Sequence, residues 1–266
     1  MERKPENYFA SQKESIKKDK IESGIFSFND PEQHKSTRLK INKVNRVLGS
    51  GSYSRWVAEV NVELANDTAT EKKTHNMVIK RYEEEGSDAV QDLRESYENF
   101  RALKKIDMST WDTYRINEEH KLALMTLGVK ENEILLTAND SDEINIDQFR
   151  GNPVKKIENL NEFVAKASLI LEKANMYGYR LRADTYGAIF KPQPNNPGVY
   201  KLDIIISDLD SLDSSKDPHY IENYGNDIKE RWREENKDNL SNALWCIFPG
   251  SRDEKEAFRE SIMSKI

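Results

Sequence analysis

Strand-like and helix-like patterns alternate along this chain in an order that is informative before any single residue is singled out. Leu39 to Val60 reads as two strands around a glycine-containing turn, and Thr74 to Tyr82 as a third, with the polar stretch Ala65 to Lys73 connecting them. From Ser87 to Ile106 the apolar spacing changes to three and four. Val90, Leu93, Tyr97, Phe100, Leu103 and Ile106 fall on one face, which predicts an amphipathic helix that Ser87-Asp88 can cap. Trp111 to Ile116 and Lys121 to Leu127 return to strand character. Lys130 to Asn152 is polar, interrupted by the short apolar runs Ile134-Leu135-Leu136 and Ile144-Asn145-Ile146.

The second half is richer in helix. Asn161 to Tyr177 places Phe163, Ala167, Ile170, Leu171 and Ala174 on one side and ends at Gly178, a left-handed cap. Ile189-Phe190 and the apolar run Tyr200 to Ile206 form a hairpin across the turn Asn195-Asn196-Pro197-Gly198. Helices are expected over Ile221 to Glu235, Lys237 to Phe248 and Asp253 to Ser264. Residues 1–38 hold too little apolar surface to offset their ordering entropy, and they read as a polar, loosely ordered extension whose basic run Gln12 to Lys20 is a solvated face.

Composition narrows the function. The chain has 266 residues, 36% hydrophobic and 33% charged, so it can bury a real core while keeping a heavily solvated surface. A formal charge of -6 argues against non-specific nucleic-acid binding, which needs a basic face. The single Cys246 excludes an intramolecular disulfide, suits a reducing compartment and is expected in the core. His34, His75, His120 and His219 lack metal-ligand spacing, so no zinc site is expected. No apolar run approaches the ~20 residues of a membrane span, and the first residues lack the apolar core of a secretory signal. A soluble protein is expected.

Chemistry concentrates in Val47 to Lys80. Gly49-Ser50-Gly51-Ser52 between two strands lets the backbone fold closely over phosphates, and Lys80, ending the run Met77-Val78-Ile79, can reach those phosphates. This stretch resembles the opening of the protein-kinase fold, whose glycine-rich loop reads G-x-G-x-x-G-x-V and whose third strand ends in a lysine. Gly49 and Gly51 match, Ser54 stands for the third glycine, and Trp56 for the valine. The resemblance implies a helix glutamate paired with Lys80. Aligning the apolar positions puts Asn99 there, with Glu98 beside it as the expected partner and Glu95 one turn earlier as the alternative. It also implies that Met125 backs an adenine pocket and that backbone groups of Thr126, Leu127 and Gly128 meet the base.

Further along, Asp208 and Asp210 end the strand Tyr200 to Ile206 where the family carries D-F-G, and the resemblance makes them ligands of Mg²⁺ or Mn²⁺. Laid without gaps from Gly178, Ala183 takes the position of the catalytic aspartate and Ala188 that of the metal-binding asparagine. A shift of one residue brings Asp184 to the aspartate position, and Asp184 is the expected group that orients an acceptor hydroxyl. Its other reading is a cap of the turn to Gly187.

The implied fold class is α+β and two-lobed, with a small antiparallel β lobe carrying one helix (39–128) and a reduced, mainly helical large lobe (129–266). The chain is similar to the compact effector kinases that bacterial pathogens secrete. That likeness implies ATP as cofactor, phosphoryl transfer to a serine or threonine of a host protein, and action inside a host cell. Two other readings stay open. One is a pseudokinase that serves as a nucleotide-binding or interaction module, and the other is a small-molecule kinase or nucleotidyl transferase using the same clamp.

Overall fold

Six antiparallel strands build the first part of the molecule. They are β1 (Ile25–Asp30), β2 (Lys35–Gly51), β3 (Ser54–Leu64), β4 (Thr74–Tyr82), β5 (Thr113–Asn117) and β6 (Leu122–Thr126), and they close into a barrel in the order β1-β2-β3-β4-β6-β5. The computed structural model describes residues 21, 24–32, 35–51, 54–65, 74–82, 88–126, 132–138, 149, 152–210, 212–224 and 227–266. Phe28, Ile41, Trp56, Ala58, Ile79 and Leu124 fill the barrel interior. The seventeen-residue β2 stays paired with β3 through several register shifts, which let one long strand bend around the barrel.

Five strands were expected here, and the sixth corrects the reading of residues 1–38. Ile25–Asp30 is a strand rather than part of a loose extension, because alternation buries Phe26 and Phe28 in the barrel. It closes the barrel at the pair Asn29 and Ile116, reinforced by Asn117 Nδ2 donating to the Ser27 carbonyl at 2.8 Å. The basic run Gln12 to Lys20 and the segment Ile144 to Ile146 lie outside the described residues.

Helix α1 (Ala89–Lys105) lies against the outside of β5. Asp88 Oδ1 accepts from the Val90 and Gln91 amides at 3.2 and 3.3 Å, the cap expected from sequence. Phe100 stacks on Tyr114 with centroids 5.6 Å apart, and Tyr97 donates to Asp30 Oδ1 at 2.8 Å. Arg94 grips Glu118 through two hydrogen bonds of 2.7 and 2.8 Å. These contacts set the rotation of the helix.

The chain divides into two compact units, Met1–Phe100 with Trp111–Gly128, and Arg101–Thr110 with Val129–Ile266. The second unit holds β7 (Ile134–Thr137), β8 (Lys156–Ile157), β9 (Tyr179–Leu181), β10 (Tyr186–Pro192), β11 (Val199–Ile206) and β12 (Leu212–Ser214). Four of them form a sheet in the order β7-β10-β11-β8, while β9 pairs with β12. Helices α2 (Leu160–Tyr177), α3 (Pro218–Tyr224), α4 (Ile228–Ile247) and α5 (Arg252–Met263) complete it. The four-stranded sheet goes beyond the mainly helical unit expected.

The boundaries of α3 and α4 also differ from expectation. Helix α3 stops at Tyr224, and α4 runs without a break through Glu235 and Lys237. A continuous stripe of Trp232, Asn236, Leu240 and Leu244 at four-residue spacing carries α4 past the expected gap. Cys246, expected in the core, is half-buried near the end of this helix. No helix among the described residues is long and apolar enough to cross a membrane.

Helix α2 ends at Gly178 with φ 73°, as its sequence foretells. Its Lys166 pairs with Asp203 of β11, which Lys191 of β10 also contacts at 3.2 Å. Burial alone would raise the Asp203 carboxyl, but the two lysines outweigh it and hold the group below its ordinary range. A depressed folded value means that the paired carboxylate stabilises the fold above its unfolded pKa of about 3.9 and loses that contribution as pH falls through the folded value. Asp203→Asn is therefore expected to lower the unfolding midpoint at pH 7 and to converge with the wild type near pH 2, as followed by circular dichroism.

Candidate functional site

In the first unit the cross-strand register brings two of the residues singled out in the sequence, Gly49 and Lys80, into one row. Gly49 pairs with Val57, Val57 with Lys80, and Lys80 with Ala123, so all four lie in one row across β2, β3, β4 and β6. At a strand spacing of about 4.8 Å, the backbones of Gly49 and Lys80 are roughly 10 Å apart. Ser50 follows in β2, and Gly51 faces Ser54 at the strand end. Ser52 and Leu127 lie outside the described residues.

Alternation along β4 turns Ile79 into the barrel and Lys80 with Tyr82 to the other side. Met125 shares that outer face through its pairing with Val78, and it is buried. Lys80 is only 8% exposed, and its Nζ sits 5.2 Å from the centroid of the Tyr82 ring. Tyr82 donates to Ser96 Oγ of α1 at 2.9 Å, and its hydroxyl is 3.0 Å from that of Tyr114. Sequence reading missed this trio, although Tyr82 stands two residues after Lys80 and so had to share its face.

The expected glutamates of helix α1, Glu98 and Glu95, are exposed. The buried positions of the helix are Ala89, Leu93, Ser96, Tyr97 and Leu103. Glu98 follows Tyr97 by one residue, a turn of about 100°, and that rotation carries it off the packed face. Glu95 instead accepts from Gln91 at 2.8 Å. Asn99, three residues after Ser96, occupies the same flank as Ser96 and is half-buried.

In the second unit, Asp184 is the middle residue of a single 3-10 turn, Ala183–Thr185, between β9 and β10. The Thr185 carbonyl accepts from the amides of Ser207 and Asp208 at 2.8 and 3.3 Å, and the Ser207 hydroxyl approaches it at 3.3 Å. The turn bearing Asp184 and the strand end bearing Asp208 are thus tied at one carbonyl. Gly187 makes room for this closeness: a Cβ there would lie 3.0 Å from Ser207 Oγ. Ala188 lies within β10, paired with Ile204 and Leu136.

Asp208 begins a tight turn in which its Oδ1 accepts from the Asp210 amide at 3.3 Å. Two carboxylates on one turn are the hard oxygen donors that Mg²⁺ takes, with waters and substrate phosphates completing an octahedral shell. Among the described residues no three or more His, Cys, Asp or Glu side chains gather as a metal cage.

Helix α4 supplies anchors that sequence reading did not name. Asn236 is fully buried, accepts from the Leu181 amide at 2.7 Å and donates to the Tyr179 carbonyl at 2.9 Å and to Asn175 Oδ1 at 3.0 Å. Asn239 donates to the Leu181 carbonyl at 3.0 Å. The signal was present as a polar residue on the apolar stripe of α4. Asp213 on β12 receives Arg182 at 3.2 Å and Arg180 at 3.4 Å, and Arg180 also meets Glu235 at 2.6 Å. Both ends of the stretch from β9 to β12 are therefore fastened.

No family model and no curated protein matches this chain. Among solved structures, the ADP/Mg²⁺-phosphoaspartate complex of the Rio2 kinase from Chaetomium thermophilum overlaps with 10% identity and a TM-score of 0.45, over 84% of this chain and 62% of that one. The chain thus spans less than two thirds of that relative. A second structure of the same Rio2 kinase gives 10% identity and a TM-score of 0.43, covering 95% and 77% of the two chains. Choline kinase LicA from Streptococcus pneumoniae gives 12% identity and a TM-score of 0.28, covering 84% of each.

Proposed function

We propose that this chain is an ATP-dependent phosphotransferase that works with Mg²⁺ or Mn²⁺ and delivers phosphate to a hydroxyl acceptor. The observation that carries this reading is the cross-strand row from Gly49 through Val57 to Lys80, which sets a glycine-bearing hairpin beside a buried lysine. Backbone at Gly49 to Gly51 would lie over the phosphates, and the Lys80 ammonium would balance their charge. Asp208 and Asp210 would hold the cation that accompanies the nucleotide, which supplies charge neutralisation at the transferring phosphate. Asp184 would accept a hydrogen bond from the acceptor hydroxyl and aim its oxygen.

A protein serine or threonine is the acceptor class that the sequence resemblance implies, and we carry it forward on that ground. The pseudokinase reading is favoured by a specific observation, the alanine at position 188 within β10. On that reading the clamp binds nucleotide without transferring phosphate.

Thermal unfolding tests the binding step common to both. Millimolar ATP with Mg²⁺ or Mn²⁺ is expected to raise the midpoint, since ligand at a hundred times its Kd adds about 2.7 kcal/mol, on the order of 5 °C for a chain this size. Lys80→Ala and Asp208→Ala are expected to abolish the rise. No rise in the wild type would overturn the proposal.

A further inference from the structure

We propose that Tyr82 is the positioning residue for Lys80, holding the ammonium against its ring through a hydroxyl relay to Ser96 and Tyr114. This rests on the reading of Lys80 as the phosphate-binding cation. The ring lies 5.2 Å from Lys80 Nζ, within the range where a cation is drawn to the negative face of an aromatic system. The ring is itself fixed. Tyr82 is 1% exposed, and its hydroxyl meets Ser96 Oγ at 2.9 Å and the Tyr114 hydroxyl at 3.0 Å.

The three hydroxyl-bearing residues belong to three different elements. Tyr82 sits on β4, Ser96 on α1 and Tyr114 on β5, and all three are buried. A buried hydroxyl without a partner is expensive, so the relay constrains the tyrosine rotamer more tightly than packing alone. Tyr114 is held in turn by stacking on Phe100, so the placement of α1 is read out at the lysine through an aromatic ring. Helix α1 reaches the Tyr82 ring by Ser96.

The test reads the lysine directly, without nucleotide. In full-length protein carrying ¹³Cε-lysine, the Lys80 signal is assigned by its disappearance in Lys80→Arg, and a ring-current displacement reports the contact with Tyr82. The displacement is expected in the wild type and is expected to shrink in Tyr82→Phe, which keeps the ring but removes the hydroxyl that tethers it. It is expected to vanish in Tyr82→Leu and to shrink in the double variant Ser96→Ala/Tyr114→Phe, which keeps the ring but removes its tethers. Mg-ATP affinity, measured on the same proteins by titration calorimetry, is expected to fall about 2- to 30-fold in Tyr82→Leu, the range of a cation–π contact.

An undisplaced Lys80 signal in the wild type overturns the proposal, as does a displacement unchanged in the double variant. Should Tyr82→Leu fail to fold, the double variant decides. A displaced signal in a protein that binds no ATP would uphold the contact and overturn the phosphotransferase reading instead, so the two failures are distinguishable.

Discussion

Replacing Asp184 with asparagine is expected to slow phosphoryl transfer by roughly two to four orders of magnitude, the range for loss of a positioned general base. Nucleotide binding should survive. The expectation rests on where the residue sits. Asp184 occupies the centre of a one-turn segment whose following carbonyl, at Thr185, receives the amides of Ser207 and Asp208. A carboxylate there is held beside the strand end that carries the proposed metal ligands, and it can accept a proton that an amide cannot. The Asp184→Asn change preserves size and leaves the turn intact, so the unfolding midpoint and the ATP-induced rise should match the wild type. Single-turnover transfer to a mixed pool of acceptor proteins, followed with radiolabelled ATP, measures the rate. A wild type that binds ATP and transfers nothing would favour the pseudokinase reading, and a variant as fast as the wild type would move the general base elsewhere.

Much of the local architecture was legible because its signals are local. The three- and four-residue spacing of Leu93, Tyr97, Phe100 and Leu103 fixes α1, and Gly178 ends α2 with the left-handed backbone that glycine tolerates best. Thr74 to Tyr82 was read as a strand with the bounds the structure gives β4. The hairpin of β10 and β11 followed from one apolar run on either side of an Asn-Asn-Pro-Gly turn. What the sequence concealed depends on pairing between distant segments. Ile25–Asp30 has the polar flanks of an extension, and only closure against β5, nearly ninety residues later, makes its phenylalanines core residues.

The site was legible as residue types and obscured in its geometry. Lys80 and Gly49 could be named from motif, but their shared row requires the register shifts of β2, which no motif states. Glu98 was chosen by chemical type on an acidic helix. In the helix Leu93, Ser96 and Tyr97 are buried and Glu98 is exposed. Asp184 was separable from Ala183 only by a one-residue shift, and both residues lie in the single tight turn that connects β9 to β10. The anchors of that connection lie on α4, more than fifty residues away, and their partners are backbone groups with no sequence signature.

Those anchors yield the second large effect. Asn236→Ala is expected to destabilise the chain by about 3 to 5 kcal/mol, the upper range for single substitutions. The side chain is fully buried and serves three partners on two elements, the Leu181 amide, the Tyr179 carbonyl and Asn175 Oδ1. Each backbone group left without a partner in the interior costs about 1 to 3 kcal/mol, and a methyl group cannot admit water freely enough to replace them. Asn236→Asp makes a sharper comparison. It keeps an acceptor for Leu181 but turns its second oxygen on the Tyr179 carbonyl, so it loses a donor and brings two acceptors together. Asn175 can rotate its amide to donate to that oxygen, whereas the Tyr179 carbonyl has no such freedom. The aspartate variant also places a carboxyl group in the interior, so it should fall below the wild type at pH 7 and recover part of that loss as pH is lowered and the carboxyl protonates, as urea unfolding would measure. Because β9 leads directly into the turn of Asp184, transfer activity in the aspartate variant should fall more than its stability predicts. Equal losses in all variants would assign Asn236 to packing alone.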